Sequence, residues 1–400
     1  MLPGLATRTV AALALQVVER DRAYLTKALD DAWRPMPEPS RDERAFSTEL
    51  AAGTCRWRGI LDARLDPLLP RGLASLDDLT RQVLRVAAYE LVGPHPTPAH
   101  AAVHLAVEAA KRLRNPSLAR LVNAVLRSLT RTSPHGPADR EPRPVGEPRS
   151  AARPRSGRPG ARPAPSLPRG APASRDRPPA PSLALPPWLL SSLAAAWGEP
   201  AALELARWSL ERPKRSLRLN PRRPTPDAKD REPTTNEAPS SGPAENRKPK
   251  NENCLLLPPG AGDLRSHPLV ASGAATPQEA GAILVTDALP LRPGAIVLDA
   301  CAGRGMKTTA LAERLPPDAV LLAADVNPEK LARLAPELER LGLPPVETIA
   351  VDWSVGIAGI VGSFDAILVD APCSGTGTLS RRPEIRWRLE PADVARLAAL

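Results

Sequence analysis

The stretch 297–308, VLDACAGRGMKT, decides the class of fold because it joins a short apolar run to a glycine-rich turn and then to a helical pattern. Asp299 closes the apolar run, Gly303 and Gly305 allow the backbone to turn tightly, and Lys307 opens the next helix. A strand, glycine turn and helix in this order are typical of the first strand of a doubly wound parallel sheet. In such sheets, ligands bind beyond the carboxyl ends of the strands.

Two common phosphate-binding signatures fail at this turn. A P-loop requires glycine directly before the lysine, where this chain has Met306, and an earlier glycine where it has Cys301. A dinucleotide-binding fingerprint requires a third glycine, and the chain has Thr308 at that position. What remains is a glycine turn after a strand, which by itself is a weak indication of a binding site.

Three more apolar runs follow, at 319–326, 346–352 and 364–372. They alternate with helical patterns, and this alternation predicts a parallel sheet with helices on both of its faces. We therefore expect a Rossmann-like α/β domain over 265–400. Its binding site is expected at the edge where the carboxyl ends of the strands meet.

Each of the four predicted strands ends in an aspartate. A single aspartate at a strand end is more often a turn or helix cap than a ligand, but four at one edge favour a site; they are Asp299, Asp325, Asp352 and Asp370. Asp325 lies about twenty residues beyond the turn, where a carboxylate can accept both hydroxyls of a ribose. S-adenosylmethionine has a ribose and positive charge but no phosphate, so it fits an acidic edge.

Residues 5–131 have apolar side chains at three- and four-residue spacing, which predicts an all-helical domain. Asp77 and Ser117 are placed to cap two of its helices. The last two helices carry basic residues that either pair with the phosphates of a folded RNA or form an ordinary solvated face. These residues are Lys111, Arg112, Arg114, Arg120, Arg127 and Arg131.

Two stretches are too polar to form a core of their own. The region 132–181 is rich in proline and arginine, and 221–253 is a second low-complexity insert, so both are predicted to be disordered. Between them, 182–220 recovers helical periodicity and ends in a possible strand, which predicts a small connecting subdomain.

Charge and cysteine content narrow the class of protein. The net charge is +10, but much of it lies in the arginine-rich insert, so it supports RNA binding only weakly. The four cysteines form no CxxC pair and no cluster with histidine, which argues against a metal site or a disulfide framework. We recognise no signal peptide and no membrane span, so we expect a cytoplasmic protein without a membrane partner.

Four stretches of the α/β half resemble successive motifs of the RNA (cytosine-5) methyltransferases: VLDACAGRGMKTT, AADVNPEKLARL, VDWS and ILVDAPCSGTGTLSRRPEIRW. ERAFSTELAAGTCRWRGILD and PSLARLVNAVLRSLT resemble the NusB-like RNA-binding domain of the bacterial 16S rRNA methyltransferases of the Sun/RsmB type. The resemblance implies an all-α domain followed by an α/β methyltransferase domain. It also implies an enzyme that uses S-adenosylmethionine to methylate carbon 5 of a cytosine in small-subunit ribosomal RNA.

The resemblance further implies which residues bind the cofactor. The glycine turn would hold the methionine part, Asp325 the ribose and Asp352 the adenine side, while Asp370 would lie near the cofactor's amine and the target base. Arg304 and Met306 are bulkier than the proline and glycine that the family has at these positions. The turn consists of Cys301, Ala302, Gly303, Arg304, Gly305, Met306 and Lys307.

Methyl transfer to carbon 5 requires a cysteine thiolate that first adds to carbon 6. The resemblance implies that Cys373 lines the base pocket and assists release of the product, together with Asp370 in the catalytic site. The nucleophile would be a second cysteine, in a Thr-Cys motif after the next strand. That strand would lie beyond Leu400, so we expect a truncated form of a longer enzyme that is inactive as it stands.

Two alternatives remain open. The chain is either the methyltransferase described or a catalytically inactive, NusB-like RNA-binding protein. Within the enzyme reading, Cys373 itself is a second candidate nucleophile, because a cysteine after proline has that role in DNA cytosine-5 methyltransferases. Arg386 and Trp387 follow this cysteine and could stack on a base, although a buried tryptophan is equally compatible with the pattern.

Overall fold

The computed structural model describes residues 4–94, 96–113, 116–132, 184–223, 253–257, 264–357, 359–360 and 362–399. Most of the two low-complexity inserts therefore lies outside the described residues. The chain divides into two compact units. The first comprises Met1–Arg212 with Gly375–Asp393, and the second comprises Pro213–Ser374 with Val394–Leu400. Within the described residues, no helix is long and apolar enough to cross a membrane.

The first unit is helical, as the apolar periodicity predicts. Its helices are α1 (Leu5–Asp21), α2 (Leu25–Trp33), α3 (Arg41–Leu65), α4 (Asp78–Val92), α5 (Ala99–Leu113), α6 (Pro116–Thr132), α7 (Pro187–Trp197), α8 (Glu199–Trp208) and α14 (Ile385–Arg388). Ser40 and Glu43 form a capping box that starts α3. Asp77 caps α4 as predicted, because its side chain accepts a hydrogen bond from the backbone N–H of Thr80. The side chain of Ser117 lies outside the described residues.

The core of α1–α6 consists mainly of leucine, valine and alanine side chains. Helix α2 is short, so its nine residues give the apolar pattern only about two and a half turns to repeat. Its inward face nevertheless belongs to the core through Leu25, Leu29 and Trp33. The indole N–H of Trp33 donates to the hydroxyl of Ser47 at 3.1 Å, so the one polar atom of this side chain is satisfied.

The segment 375–393 belongs to the helical unit although it follows the α/β strands in sequence. Leu379 and Ile385 share a hydrophobic cluster with side chains of α7 and α8. The indole N–H of Trp387, which is partly buried, donates to the carbonyl of Cys55 at 2.8 Å. The segment is therefore held to the helical unit by both apolar packing and hydrogen bonds.

Arg386 lies at the centre of this contact and is 0% exposed. Its guanidinium donates to four backbone carbonyls: those of Arg56 at 3.1 Å, Ala184 at 2.8 Å, Ser209 at 2.9 Å and Leu379 at 2.9 Å. Burial lowers the pKa of this guanidinium to about 10. The idea that Arg386 stacks on a base is wrong, because the side chain is used to hold the backbone of the helical unit.

The second unit begins with a three-stranded antiparallel sheet. Its strands are β1 (Arg215–Leu219), β2 (Cys254–Leu257) and β3 (Ala275–Pro277), and β1 lies between the other two. The region 182–220 was predicted as one connecting subdomain. In the structure, α7 and α8 belong to the first unit and β1 to the second.

The second sheet has four parallel strands: β4 (Ile296–Asp299), β5 (Val320–Asp325), β6 (Glu347–Ala350) and β7 (Ala366–Leu368). They lie in the order β6-β5-β4-β7, and every neighbouring pair is parallel. The helices of this unit are α9 (Pro268–Ala271), α10 (Ala280–Asp287), α11 (Met306–Arg314), α12 (Pro328–Leu331) and α13 (Leu334–Leu341), and α15 (Pro391–Ala399) begins in the first unit and ends in the second. The prediction of a parallel α/β sheet is confirmed.

The two faces of the parallel sheet differ. On one face, Leu311 of α11 and Leu338 of α13 pack against strand residues such as Val297. The hydrophobic cluster on the other face takes its non-strand members from the chain directly after β4 and around β6 and β7, including Ala300 and Ile360, and contains no helix residue in the described part. Helices on both faces were therefore wrongly predicted for this part of the chain. Glycines at 356, 359 and 362 interrupt the segment that covers the second face, which disfavours a helix there.

Candidate functional site at the carboxyl edge of the parallel sheet

The parallel register brings the four predicted aspartates to one edge of the sheet. Asp299 and Asp325 are the last residues of β4 and β5, and Asp352 and Asp370 follow shortly after β6 and β7. The first two side chains belong to buried residues, whereas the other two are exposed. The edge thus has two carboxylates fixed within the protein and two open to solvent.

Asp299 has a structural role in this edge. Its residue is 0% exposed, and its carboxylate accepts a hydrogen bond from the hydroxyl of Thr308 at 2.7 Å. Burial raises the pKa of the Asp299 carboxyl, and the Thr308 hydrogen bond acts against that rise. The contact ties the end of β4 to the first turn of α11.

The glycine turn has the backbone conformation that its sequence predicts. Gly303 and Gly305 have φ values of 57° and 82°, which favour glycine. A Cβ at Gly305 would lie 2.4 Å from Cδ1 of Leu334, so this position needs glycine for packing as well. A Cβ at Gly303 would meet no atom within 4 Å, so one side of the turn is open. Arg304 and Met306 are exposed, and their bulk does not fill the packed side.

Asp325 binds the turn to the neighbouring strand. Its Oδ2 accepts a hydrogen bond from the backbone N–H of Gly303 at 2.9 Å, and its Oδ1 accepts one from Asn327 at 2.9 Å. These bonds fix the orientation of the carboxylate. Each oxygen has a second lone pair, so the group retains the capacity to accept hydrogen bonds from a ligand.

Lys307 and Asp370 connect the turn with the end of β7. Their side chains form an ion pair, with 21% and 53% of the side-chain surface exposed. Sequence reasoning placed both residues in the site but did not predict that they pair. Cys373 follows in the same loop and is exposed.

The cysteines differ sharply in their surroundings. Of the four in the chain, Cys373 alone is exposed. Burial raises the pKa of the Cys55 thiol to about 12. Burial also raises the pKa of Cys254 and of Cys301, and the carboxylate of Asp325 adds to the rise at Cys301. Because the thiolate is the reactive form, these three residues are disfavoured as nucleophiles.

Sequence reasoning missed a set of exposed apolar residues that follow the acid-ended strands β5 and β6. We call Val326, Trp353, Val355 and Ile357 the apolar rim. The indole N–H of Trp353 donates to the carbonyl of Ala300 at 2.6 Å, while the residue stays 38% exposed. Nearby, Asp352 accepts hydrogen bonds from the hydroxyl and the backbone N–H of Ser354, which lower the pKa of its carboxyl. The signal was present in the sequence as large apolar residues directly after two acid-ended strands.

Sequence reasoning also did not identify Arg218, which supports the glycine turn through a hydrogen bond to its backbone. This β1 residue is 3% exposed and forms an ion pair with Glu313 at 2.8 Å. It also donates to the carbonyl of Met306 and to the hydroxyl of Thr309, each at 2.9 Å, and to the side chain of Gln278. Arginine is usually exposed, so nothing in the sequence indicated a buried position.

The basic residues predicted to contact RNA are exposed on α5 and α6. Lys111 pairs with Glu108 at 2.6 Å, and Arg127 donates to the side chain of Asn123 at 3.0 Å. Arg120 and Arg127 lie two helical turns apart, which puts them on the same side of α6. Arg112 is exposed on α5, and Arg114 lies outside the described residues.

The groups at this edge fit S-adenosylmethionine. Asp325, Asp352 and Asp370 offer acceptors for ribose hydroxyls and for a cationic amine. The open side of Gly303 leaves room at the turn, and the apolar rim suits the faces of an adenine ring. Within the described residues, no group of histidine, cysteine, aspartate and glutamate side chains has the arrangement of a metal site.

A glycine turn and an acidic carboxyl edge on a parallel sheet, in a chain that also has a separate helical unit, are the features expected of a methyltransferase with an accessory helical domain. Family comparison agrees for both parts. The model of the 16S rRNA methyltransferases RsmB/F matches residues 286–400, and that of the NusB family matches residues 5–131.

Whole-chain relatives narrow the class further. The chain is 31% identical over 409 residues to ribosomal RNA small subunit methyltransferase B of Thermus thermophilus, with 100% of this chain and 79% of the relative covered. It is 30% identical over 394 residues to the protein of the same name from Pseudomonas syringae pv. tomato, with 98% and 78% covered. The chain belongs to the ribosomal RNA small subunit methyltransferase B family.

A solved structure supports the fold. The crystal structure of PH0851 aligns with a TM-score of 0.62 at 19% identity, and the alignment covers 100% of this chain and 81% of that one. The predicted architecture, a NusB-like helical domain followed by an α/β methyltransferase domain, is confirmed.

Proposed function

We propose that this methyltransferase acts on carbon 5 of a cytosine in small-subunit ribosomal RNA, takes the methyl group from S-adenosylmethionine and passes through a cysteine thiolate adduct. One observation carries the proposal. Cys373, the one exposed cysteine of the four, lies in the loop after β7, and Asp370 in that loop pairs with Lys307 of the glycine turn. The loop with the exposed thiol is thereby connected to the proposed cofactor turn.

The chemistry explains why a cysteine is needed there. Carbon 5 of cytosine is too weak a nucleophile to take a methyl group directly. When a thiolate adds to carbon 6, the ring becomes an enamine and carbon 5 gains the required electron density. After methylation a base removes the proton from carbon 5, and the carbon–sulfur bond breaks to return the thiolate.

Each of the proposed cofactor-binding residues contacts a different part of the ligand. When bound, S-adenosylmethionine supplies a methyl group activated by a sulfonium. Asp325, held by two backbone N–H groups, accepts the ribose hydroxyls, and the turn 301–307 contacts the methionine part through its backbone. Asp352 and the apolar rim hold the adenine side. Asp370 attracts the cofactor's amine and orients it relative to the target base.

For Cys373 we propose a place against the target base and a part in resolving the covalent intermediate. Its exposure supports contact with a substrate that arrives from outside. In the helical unit, the exposed side chains of Lys111, Arg112, Arg120 and Arg127 pair with RNA phosphates. This contact fixes the position of a folded RNA without reading its sequence.

A covalent trap tests the proposal. RNA with 5-fluorocytosine at the target position retains fluorine where a proton would leave, so the adduct cannot resolve. The chain, Cys373→Ala and Cys301→Ala would be incubated with this RNA and S-adenosylmethionine, and adducts separated under denaturing conditions. Arg207→Ala, at an exposed position of α8 with no proposed contact to RNA or cofactor, serves as the control.

The outcomes separate the candidate roles. If Cys373 resolves an intermediate that another cysteine forms, Cys373→Ala gives a stable adduct even with unmodified cytosine, provided that the variant is made in a form of the protein that includes the expected Thr-Cys motif. If Cys373 is the nucleophile, this variant alone gives no adduct. If a form of the protein that includes the expected Thr-Cys motif binds both the cofactor and RNA but forms neither adduct nor methylated product, the proposal fails, and RNA binding without catalysis is the better account.

A further inference from the structure

An exposed aromatic and basic cluster lies in the helical unit, outside the site described above. Tyr24, in the turn between α1 and α2, is 51% exposed. The guanidinium carbon of Arg388 lies 4.0 Å from the centroid of its ring, and that of Arg382 lies 5.9 Å from it. Arg382 itself is exposed. We call Tyr24, Arg382 and Arg388 the tyrosine platform.

The turn that carries Tyr24 is held in a costly conformation. Arg22 has φ 52° and is the one non-glycine residue with positive φ in the described part of the chain. Its guanidinium pairs with Asp393 at 3.0 Å and Glu390 at 3.3 Å, and it also donates to the carbonyl of Arg388. Backbone strain of this kind persists only where the surroundings fix it, and it is frequent at functional sites.

The two arginines of the platform lie in a segment that is firmly attached to the helical unit. Arg382 and Arg388 belong to the segment 375–393, which the four carbonyl contacts of Arg386 attach to the helical unit. Glu384 accepts a hydrogen bond from the backbone N–H of Leu25, directly after Tyr24, at 3.4 Å. The platform is thus ordered in advance, which reduces the entropy lost when a ligand binds.

The chemistry of the platform fits a nucleotide in single-stranded RNA. Unpaired bases stack on tyrosine rings and on arginine planes, and arginine also pairs with phosphate. Asp393 and Glu390 are engaged with Arg22, and Arg382 places an exposed guanidinium beside the Tyr24 ring. The same segment also follows the Cys373 loop directly in the chain, where the substrate base is expected.

We propose that the tyrosine platform binds an unpaired nucleotide of the substrate RNA, with its base on Tyr24 and its phosphate at Arg382. This inference rests on the proposed function, because it concerns the same RNA. It differs from the phosphate contacts of α5 and α6 in that a base, and not only the backbone, is held.

The test compares Tyr24→Ala, Tyr24→Phe and Arg382→Ala with the unchanged chain, and Trp197→Ala is the control. Trp197 is 63% exposed in the same unit but lies away from the platform residues in sequence and has no arginine on its ring among the described contacts. Binding of a small-subunit rRNA fragment and of S-adenosylmethionine would be measured separately. Thermal unfolding would verify that each variant is folded.

We expect Tyr24→Ala to weaken RNA binding by roughly 5- to 150-fold, since stacking on one aromatic ring has this range of effect. Tyr24→Phe keeps the ring and should stay within about threefold. Arg382→Ala should reduce the slope of log Kd against log salt concentration by about 0.7, as expected for one lost phosphate contact in a single strand. Affinity for S-adenosylmethionine should be unchanged in all variants.

The results separate this inference from the proposed function. If the unchanged chain binds no RNA, both fail. If it binds RNA but Tyr24→Ala and Trp197→Ala bind equally well, or if Tyr24→Phe loses as much as Tyr24→Ala, only the platform is refuted. If a polyglutamate peptide competes with RNA and loses affinity in parallel in Tyr24→Ala, the platform serves an acidic protein and the inference is overturned.

Discussion

Two loops follow neighbouring strands of the same sheet, and each is supported by a buried arginine, but by different chemistry. The glycine turn 301–307 rests on Arg218, whose principal partner is the carboxylate of Glu313. The segment 375–393, after Cys373, is fixed by Arg386, whose four hydrogen-bond acceptors are all backbone carbonyls. Arg218 is thus one partner of an ion pair, whereas Arg386 connects four stretches of main chain through hydrogen bonds to their carbonyls.

This difference determines what each contact can tolerate. A buried ion pair can be replaced by two apolar residues at little cost, whereas loss of one partner leaves a buried charge. Carbonyls cannot be replaced by mutation, so the acceptors around Arg386 lose their donor whenever the arginine is lost. We infer that the ion pair of Arg218 with Glu313 is exchangeable, whereas the contact of Arg218 with the Met306 carbonyl and the four contacts of Arg386 are not.

The largest effect is expected for Arg218→Met. It leaves Glu313 buried without its cation, which should lower the free energy of unfolding of the α/β unit by about 3 to 5 kcal/mol. Burial already raises the pKa of Glu313, and Arg218 opposes that rise, so the variant raises it further. A carboxyl whose pKa is raised on folding does not destabilise the fold below its unfolded pKa, and the destabilisation grows as pH rises from the unfolded to the folded pKa. The loss should therefore shrink as pH falls, as measured by urea unfolding across pH.

The double variant Arg218→Met with Glu313→Leu separates the effect of the ion pair on stability from the effect of Arg218 on the position of the turn. Without the buried carboxylate it should recover most of the stability and lose the pH dependence. Its affinity for S-adenosylmethionine should nevertheless be lower than that of the unchanged chain, because the contact of Arg218 with the Met306 carbonyl is missing in both variants. Recovery of affinity together with stability would mean that Arg218 does not position the turn.

Arg386→Met should lower the stability of the helical unit by about 2 to 4 kcal/mol, because four buried carbonyls lose their donor. Limited proteolysis should then cleave within 375–393 first. Arg386→Lys keeps the charge but has too few donors to serve all four carbonyls, so its loss should be smaller. Arg207→Met, on the exposed surface of α8, is the matched control. If segment 375–393 resisted proteolysis as well in Arg386→Met as in the unchanged chain, Arg386 would not be what attaches the segment to the helical unit.

Asp370→Asn should change stability by no more than about 1 kcal/mol, because its ion pair with Lys307 is partly exposed to solvent. Its effect on cofactor affinity should be larger, since a negative charge beside the cationic ligand is removed. Chemical unfolding and calorimetric titration of the same sample separate the two quantities. A stability loss as large as that of Arg218→Met would show that the pair is structural.

Thiol labelling measures the accessibility of the four cysteines, which we expect to differ in rate. At pH 8, a maleimide should label Cys373 first, and Cys55 only after unfolding, because Cys55 is 3% exposed and burial raises its pKa to about 12. Cys254 and Cys301 should be intermediate. Mass spectrometry of peptides taken at successive times measures the order. Early labelling of Cys55 would contradict the packing of segment 375–393 over the helical core.

Much of the fold was predictable from the sequence because it depends on local pattern. The long helices follow from apolar periodicity, and the aspartates at four strand ends, such as Asp325, follow from the rule that parallel strands end at one edge. The glycine turn was predictable because Gly303 and Gly305 adopt the backbone conformation that glycine favours. In these cases a residue and its near neighbours carry the information.

What failed depends on contacts between distant parts of the chain. Arginines are normally exposed, so the burial of Arg218 and Arg386 was not predicted, and Arg386 was wrongly offered as a stacking residue. The platform at Tyr24 depends on residues more than 350 positions away, such as Arg388. No local pattern encodes such a pairing.

Calorimetric titration with S-adenosylmethionine tests the central claim, that the carboxyl edge of the sheet is a cofactor site, most directly. We expect one molecule bound per chain, at least about tenfold weaker binding by Asp325→Asn, and unchanged binding by Lys111→Ala. Absence of binding to the unchanged chain, or equal binding by Asp325→Asn in a folded sample, would contradict the account.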